Sequence, residues 1–577
     1  MRANGLHLDW DIKSKKTTLT FCSASMNQCE FLSIFWQMNR YLLQLFALIG
    51  FSLRSYKKFC IKSYLKLAKE KRLSLIRNIR KELSNTKVRG EFPNILQGID
   101  NDNSKDKEVI LRQYLLLKVA KKTLNNSIIF SLITGLELIY PLPKEWCYSI
   151  KKEGIKVNFF LCNILWILFL WKEYLLNLIK ITTNLVILPF QKRPLPKGPF
   201  AYFIYINANC IPTEYSSNFS RNLISWYISW KGKDKSIKNI FHNCFAYDRR
   251  ISNFSISRVN KPYFLFTNRI LIIELYKWLL INSLSSFTQL IMGKWVKALM
   301  LEELFHTYSL VKLPEKAIAK EYLFTYLGSI YRPLWTYVAE SRGSKIIKYF
   351  YSTSHQPKIK SGYEFNMHNW HINTWPKYLA WDSYHKKNLE NVLKRDVDIS
   401  IEPPINFADN AEILDLPENS IAVFDIENYK LSKHLAFSTI GDYFTQNPEL
   451  HKLFLFQIQE ALYKNNISMV FKKKNKNIGN STPKYLNLIN QLSKKPNVII
   501  INPEISPERI ILKSIGVISM PFTSTSHLAN AINKPAIYYD PSSWISQDDN
   551  AAQGIEIIYS QNDLTKWAFL LKSSLSE

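Results

Sequence analysis

Four consecutive hydroxyl side chains are the residues of this chain whose type and spacing point most clearly to chemistry. They follow an apolar run at 517–520 and a Pro-Phe pair, and they stand directly before a helix-like segment at 527–532. A second apolar run at 536–539 comes next, and this order is typical of the strand, loop, helix and strand of a parallel βαβ unit. The four residues are Thr523, Ser524, Thr525 and Ser526.

Hydroxyls at the start of a helix can serve two purposes. They can cap the helix by accepting hydrogen bonds from its first N–H groups. The same junction offers free N–H donors and the positive end of the helix dipole, which suits an anion such as a diphosphate. Four hydroxyls exceed what a cap needs, so we predict that they contact phosphate.

Lysines follow a neighbouring predicted strand at 468–471. Ligands of open parallel sheets lie outside the carboxyl ends of the strands, which is where these lysines would stand. We therefore predict that Lys472 or Lys474 meets the phosphates and stabilises the leaving group, with a solvated basic loop as the alternative.

Two carboxylates are predicted near the same edge. Asp425 lies at the end of the strand predicted at 421–426, where it could act as a general base or bind a ribose hydroxyl, or cap a loop. Glu508 begins a short predicted helix, where it could contact ribose or complement the helix dipole.

These residues resemble those of the PFTS-motif polysaccharide biosynthesis proteins, a bacterial surface-carbohydrate family. The likeness rests on PFTST, the helix after it and KPAIYYD, and it extends over residues 200–567. The stretches RPLWTYVAESRGSKIIKYFYST, TWPKYLAWD and WYISWKGKD add to it. The chain is also similar, more distantly, to GT-B glycosyltransferases, which read a nucleotide sugar with a Ser/Thr pair at this helix. The resemblance implies a sugar-nucleotide donor; where the family has Lys-Pro-Lys, this chain has Lys-Lys-Lys.

A second group of residues is predicted to serve the sugar acceptor. Glu340 and His355 are the candidates for its general base. Histidine, asparagine and tryptophan alternate over 366–375, and aromatic faces can stack on sugar C–H groups while the polar neighbours bind hydroxyls. The predicted acceptor-binding residues are His368, Trp370, His371 and Trp375.

No metal site and no cofactor are predicted, and the nucleotide sugar is a co-substrate. His368 and His371 could form a metal pair, but no cysteine lies near them. The DxD-like triplet at 396–398 stands before a domain boundary and is interpreted as fortuitous. The chain has no GxGxxG, Walker A, HExxH or GxSxG motif, and it has only 16 glycines in 577 residues. A hydroxyl-rich helix start is therefore the predicted phosphate site.

The pattern of elements predicts an α/β fold with two Rossmann-like domains in the GT-B arrangement, preceded by a mainly helical region. Residues 1–195 form the helical, basic, membrane-associated region. Residues 196–403 form the N-terminal Rossmann-like acceptor domain, which includes a helix predicted at 270–300. Residues 404–577 form the C-terminal Rossmann-like domain for the nucleotide sugar.

The composition predicts the charge of the binding partner and the cellular compartment. A net charge of +30 implies an anionic partner, and seven scattered cysteines favour a reducing cytosol. Apolar runs at 159–171 and 175–190 predict a buried or interfacial helix pair, with a transmembrane helix as the alternative. A basic amphipathic pattern within 51–90 suits either anionic lipid headgroups or a solvated helix face.

Together these patterns predict a metal-independent glycosyltransferase of capsular or O-antigen type polysaccharide synthesis. It would transfer a sugar from a nucleotide-sugar donor to a glycan or lipid-linked acceptor. The predicted location is cytoplasmic, peripheral on an anionic membrane surface at the inner face of the plasma membrane. The alternative is a non-catalytic assembly or regulatory protein that keeps the sugar-nucleotide fold. Nucleic acid is excluded as a partner, because the charge shows no recognised nucleic-acid-binding pattern.

Overall fold

The structure of the protein is a computed structural model. It describes residues 4–10, 17–23, 69–90, 104–120, 124, 127–128, 131–132, 136–190, 196–204, 206, 223–244, 249–251, 253–259, 261–262, 268–325, 331–350, 370–402, 414–425, 448–473, 483–503, 505–543 and 545–574.

The N-terminal region is mainly helical, after one antiparallel hairpin that the sequence analysis did not predict. The hairpin strands are β1 (Asn4–Trp10) and β2 (Thr17–Ser23). The helices are α1 (Lys69–Asn85), α2 (Ser104–Lys118), α3 (Lys144–Lys152) and α4 (Phe159–Ile187). Ile79 and Leu83 of α1 are buried, and α1 contacts α2 and α3. The apolar stripe of this basic helix is therefore used for packing.

The first α/β domain is built on an eight-stranded sheet in the order β10-β9-β8-β7-β3-β4-β6-β5. Only the edge strand β5 runs antiparallel to its neighbour. The strands are β3 (Phe200–Ile204), β4 (Asn239–His242), β5 (Arg249–Ile251), β6 (Phe254–Arg258), β7 (Glu321–Phe324), β8 (Lys345–Tyr349), β9 (Lys377–Ala380) and β10 (Asp398–Ile401). The helices are α5 (Leu223–Ser229), α6 (Arg269–Ile291), α7 (Val296–Leu299), α8 (Leu301–Val311), α9 (Leu334–Ser341) and α10 (Ser383–Leu393).

The C-terminal domain has a six-stranded, fully parallel sheet in the order β13-β12-β11-β14-β15-β16. Counted within the domain, that order is 3-2-1-4-5-6, which is the order of a Rossmann sheet. The strands are β11 (Ser420–Phe424), β12 (Ser468–Lys472), β13 (Val498–Ile501), β14 (Gly516–Ser519), β15 (Ala536–Tyr539) and β16 (Glu556–Ile558). The helices are α11 (Pro448–Lys464), α12 (Pro483–Leu492), α13 (Pro507–Lys513), α14 (Ser524–Ala531) and α15 (Gln561–Ser573).

The predicted fold class is confirmed: two parallel α/β domains follow a mainly helical region. The helical pattern predicted over 270–300 is present as two helices, because α6 ends at Ile291 and α7 begins at Val296. Gly293 between them has φ +78, a left-handed conformation that commonly ends a helix.

Two large hydrophobic cores correspond to the two α/β domains. One core joins α1 to α4 with the first sheet, so the N-terminal helices share their core with the first domain. Trp166 of α4, for example, packs edge-on against Trp295, with ring centroids 5.4 Å apart. The second core lies within the C-terminal domain.

Two described helices are long and apolar enough to cross a membrane by length and composition. They are α4 with the turn that extends it, Phe159–Phe190, and α6, Arg269–Ile291. The predicted helix pair over 159–190 is instead one continuous helix, because Glu173 is buried beside Lys118 (N to O 3.3 Å) and does not interrupt it. The sequence analysis did not single out α6 as an apolar helix of this kind.

Candidate functional site

The strand order of the C-terminal sheet reverses between β11 and β14. Strand β11 continues to β12 on one side, and β14 continues to β15 on the other. At such a point the loops leave the sheet in opposite directions and open a crevice at the carboxyl ends of the strands, where ligands bind in open α/β sheets. Asp425 directly follows β11, and the Pro-Phe-Thr segment follows β14 after one residue, Met520. The site therefore lies at the place that this topology reserves for a ligand.

The hydroxyl cluster forms the beginning of α14 and not a loop before it. Thr523 is the N-cap residue, and the next three hydroxyl residues occupy the first turn, three residues earlier than predicted. The Thr523 side chain makes no capping bond; its hydroxyl donates to the Met520 carbonyl at 3.0 Å. The first-turn N–H groups, which have no acceptor within a helix, are thus left without a hydroxyl cap from Thr523. This argues against the capping role for that residue and favours an anion.

The hydroxyls differ in what they contact. Thr525 Oγ1 lies 2.8 Å from Ser519 Oγ, at the end of β14, and 3.2 Å from Thr523 Oγ1. The half-buried Ser524 hydroxyl has no hydrogen-bond partner among the residues that the structure describes. Ser526 is buried and donates to the Ile537 carbonyl of β15 at 3.2 Å. Ser524 and Thr525 are therefore the hydroxyls best placed for phosphate, whereas Ser526 joins the helix to the sheet.

A buried tyrosine of the neighbouring strand β15 holds the turn before α14 in place. Tyr538 of β15 donates its hydroxyl to the Thr523 carbonyl at 3.0 Å, and its oxygen lies 2.8 Å from His527 Nε2. Burial raises the pKa of Tyr538 well above its ordinary value, so the hydroxyl keeps its proton. On the other side, the Met520 N–H donates to the Phe424 carbonyl at 3.2 Å. The turn is held to both strands before any ligand arrives.

Asp425 is buried, and only one of its two carboxylate oxygens has a hydrogen-bond donor among the described residues. Its Oδ2 accepts a hydrogen bond from the Tyr485 hydroxyl and lies 3.6 Å from His451 Nδ1. Burial and the nearby carboxylate raise the pKa of Tyr485 well above its ordinary value, which keeps it a donor. No described residue donates to Oδ1. A carboxylate anchored through one oxygen can accept a hydrogen bond from a ligand hydroxyl with the other.

Lys472 ends β12, next to β11, and its Cα pairs with that of Phe424 in the ladder. The residue is buried, and burial lowers the pKa of its ammonium, while the charge of Asp425 acts in the opposite direction. Lys473 follows and is half-buried. Lys474 lies outside the described residues. Of the two lysines that the structure describes here, Lys472 is the one whose charge interacts with that of Asp425.

Glu508 also lies at this edge of the sheet. It is buried in the first turn of α13, which begins after β13 and contacts both β11 and α14. The structure therefore brings Glu508, Asp425, Lys472 and the hydroxyl turn to one side of the sheet. Its predicted role with ribose stays a prediction.

The acceptor-side candidate Glu340 stands in the wrong place for a general base. It lies in the last turn of α9, and the chain then turns through Gly343 into the first residue of β8. The carboxylate is therefore near the amino ends of the strands, opposite the edge where ligands bind. Arg332, which is buried, forms an ion pair with it. The position and the pairing assign Glu340 a structural role.

We expect Glu340→Gln to keep the sugar-transfer rate predicted from the sequence within about twofold of the wild type. The Glu340 side chain is 41% exposed and that of Arg332 4%. The glutamine oxygen can still accept from Arg332, which also donates to Thr336 and to the Thr374 carbonyl. We therefore expect a loss of stability of about 1–2 kcal/mol. Initial rates and thermal unfolding of the purified variant would test this. A loss of kcat without a loss of stability would restore Glu340 as a catalytic candidate.

The other predicted acceptor-binding residues differ in their burial and in their contacts. Trp375 is 1% exposed, with its ring centroid 4.6 Å from that of Phe324, so it is a core residue and cannot offer a stacking face. His371 lies 3.2 Å from the Ser84 hydroxyl of α1, and burial lowers its pKa. Trp370 opens the 3₁₀ turn Trp370–Ile372. His355 and His368 lie outside the described residues.

Sequence reasoning missed Tyr485, His451 and Ser519. Tyr485 and His451 stand in the first turns of α12 and α11, and each of these helices follows a strand of the sheet. Polar residues in the first turn of a helix after a strand face the carboxyl edge, and this position was the available signal. Among the described residues, no group of three His, Cys, Asp or Glu is placed to hold a metal ion.

Comparison with known proteins gives a family and distant structural similarities. The model of the family "Polysaccharide biosynthesis PFTS motif protein" matches residues 276–568, about half of the chain, including the whole site described above. A comparison with curated protein sequences gives no significant match.

The structure is similar to three solved proteins at low identity. A variant of the wall teichoic acid polymerase TagF has 12% identity and a TM-score of 0.36, over 69% of this chain and 89% of that one. The lipopolysaccharide outer core galactosyltransferase WaaB has 12% identity and a TM-score of 0.34, over 65% and 91%. TarM has 12% identity and a TM-score of 0.30, over 48% and 52%, so the chain spans about half of the length of TarM. These likenesses say nothing about the substrate.

Proposed function

The chain belongs to the family of polysaccharide biosynthesis PFTS motif proteins, and we propose that it is a glycosyltransferase that uses a nucleotide-sugar donor. The observation that carries the proposal is the uncapped first turn of α14 at the switch point of a Rossmann sheet. It offers N–H groups and two hydroxyls to an anion, beside a buried lysine and a buried carboxylate. A nucleoside diphosphate linked to a sugar is the ligand that needs all of these at once.

In this proposal the donor diphosphate lies on the first turn of α14. Ser524, Thr525 and the first-turn N–H groups donate to its oxygens, and the helix dipole favours its charge. Lys472 neutralises the diphosphate as it leaves, and Asp425 Oδ1 accepts a hydrogen bond from a hydroxyl of the sugar nucleotide. The bond from the anomeric carbon to the phosphate oxygen breaks, and a bond to an acceptor hydroxyl oxygen forms. The acceptor proton passes to a base or to water.

Transfer in this scheme is metal-independent, because the groups that meet the phosphates belong to the chain. The acceptor is a glycan or a lipid-linked glycan of surface polysaccharide synthesis. It would be held by the first α/β domain. Location at the cytoplasmic face of the plasma membrane is part of the same proposal; it is supported by the net charge of +30.

The direct test is nucleotide binding by isothermal titration calorimetry. UDP, GDP, CMP, CDP and dTDP would each be titrated into the purified full chain, with and without EDTA. We expect one nucleotide to bind with an affinity that EDTA does not change. Loss of binding in EDTA would contradict metal independence. Failure of all five to bind would favour the alternative, a non-catalytic protein that keeps the fold.

A further inference from the structure

Helices α4 and α6 form an antiparallel pair on the surface of the protein. The Trp171 ring lies 5.5 Å from that of Phe287, and the Tyr174 hydroxyl donates to the Ser283 carbonyl at 3.1 Å. The contact partner of the later residue in α4 comes earlier in α6, so the two helices run antiparallel. The two helices come from regions far apart in the chain, and the fold places them side by side.

The pair exposes a large apolar surface. Of 31 large hydrophobic side chains that are exposed among the described residues, 19 lie on these two helices and the residues that directly follow them. On α4 they recur at helical spacing opposite the buried stripe. They are Phe160, Leu161, Ile164, Ile167, Leu168, Leu175, Ile179, Val186, Ile187 and Phe190 on the α4 side, and Ile270, Ile273, Tyr276, Leu280, Ile281, Leu284, Phe287, Ile291 and Met292 on the α6 side. We call this surface the α4–α6 face. Its size exceeds the scattered exposure that is normal for a soluble protein.

The charges around the α4–α6 face are positive. Each helix contains one acidic residue, and each is paired with a lysine: Glu173 with Lys118 at 3.3 Å and Glu274 with Lys312 at 2.8 Å. Exposed basic residues stand on the helices and at their ends. They are Lys151, Lys152, Lys156, Lys172, Arg269, Lys277 and Lys294. An apolar face that carries basic residues along its helices and at their ends is complementary to a bilayer whose headgroups are anionic.

We propose that the α4–α6 face is a membrane-docking surface that lies in the plane of a bilayer containing anionic lipids. At 1.5 Å per residue, the 29 residues of α4 extend about 43 Å along the membrane surface. The apolar side chains enter the acyl region, and the lysines and arginine of the face reach the headgroups with their long stems. The proposal does not require transferase activity, although it would bring a lipid-linked acceptor to the enzyme.

The packing of α4 excludes an orientation across the bilayer. Its inner side contacts the protein along the whole length of the helix, from Cys162 to Leu185. Asn177 donates to the Leu299 carbonyl at 3.0 Å, and Lys180 pairs with Glu302 of α8 at 3.2 Å. A spanning α4 would carry these polar groups and α8 into the hydrocarbon core, where buried charges are costly. A helix pair that lies flat exposes only its apolar side to lipid.

The test is flotation of the purified full chain with vesicles on a density gradient. Vesicles of phosphatidylcholine alone would be compared with vesicles that also contain phosphatidylglycerol. The face variant Ile179→Glu/Leu280→Glu changes two side chains that are 62% and 64% exposed. The matched control is Phe569→Glu/Leu570→Glu on α15, at 59% and 65% exposure. We expect the wild type and the control to float with anionic vesicles, and the face variant to bind at least tenfold less.

Two further measurements make the result decisive. Lys172→Glu/Lys277→Glu should weaken binding to anionic vesicles and leave the weak binding to phosphatidylcholine unchanged. Nucleotide calorimetry on the face variant should match the wild type, which separates this proposal from the donor site. A wild type that does not float, or a face variant that floats like the wild type, would overturn it. So would a wild-type dimer that the face variant dissociates, since a second copy would then cover the face.

Discussion

Replacing Ser524 and Thr525 together with alanine is expected to weaken binding of the donor nucleotide by about 100-fold or more. Each of the two hydroxyls would donate to a charged phosphate oxygen, and a hydrogen bond to a charged group contributes about 1.5–3 kcal/mol. Loss of both removes roughly 3–6 kcal/mol, and each 1.4 kcal/mol is about a tenfold change in affinity. The fold should persist, because Ser524 has no partner among the described residues and Thr525 contacts only other hydroxyls.

Two variants control this experiment. Ser526→Ala removes a hydroxyl of the same turn that donates to the Ile537 carbonyl, so it should lower stability by about 1 kcal/mol and leave nucleotide affinity nearly unchanged. Thr525→Ser keeps the hydroxyl and should bind like the wild type. Calorimetry and thermal unfolding measure both quantities. Unchanged affinity in the Ser524→Ala/Thr525→Ala protein would show that α14 does not read the phosphates.

Replacing Lys472 with methionine is expected to lower kcat on the order of 100-fold. The methionine keeps most of the buried stem and removes the charge that would stabilise the departing diphosphate. Loss of one preorganised group that meets developing charge typically lowers kcat by about 10²–10³. Lys473→Met is the matched control, one residue later and half-buried, and it should keep activity within a few-fold. Equal losses in the two variants would indicate a general effect of positive charge.

The burial of Lys472 also predicts how the transfer rate depends on pH. Burial lowers the pKa of Lys472 below the ordinary lysine value of 10.5, so its positive charge is lost at a lower pH than for an exposed lysine. A lysine is charged below its pKa and becomes neutral as the pH rises through that pKa. The transfer rate should therefore fall on the alkaline side before pH 10.5. The Lys472→Met protein should lack this alkaline limb, and a limb of equal size in both proteins would assign it to another group.

Local order along the chain was sufficient to predict the strand, hydroxyl turn, helix and strand that carry the proposed phosphate site. The strand, hydroxyl turn, helix and strand at 517–539 are formed by consecutive residues. Each of these elements follows from the local preferences of its own residues. The positions of Asp425 and Lys472 at strand ends follow in the same way, because β/α alternation places every strand end at one edge of a parallel sheet. The PFTST sequence and the stretches around it indicated the family that the family model then confirmed.

Tertiary structure decided which of these residues meet and which are buried. Only the strand order brings β11 beside β14 and Asp425 beside Tyr485, which lie 60 residues apart in the chain. Trp375 and Glu340 had suitable side chains for sugar chemistry, but burial of one and the helix direction of the other remove them from the binding edge. The α4–α6 face arises because two distant helices pack together and leave their outer stripes exposed. Hydropathy cannot separate a buried stripe from an exposed one, because both contain the same residues and only long-range packing determines which side faces the core.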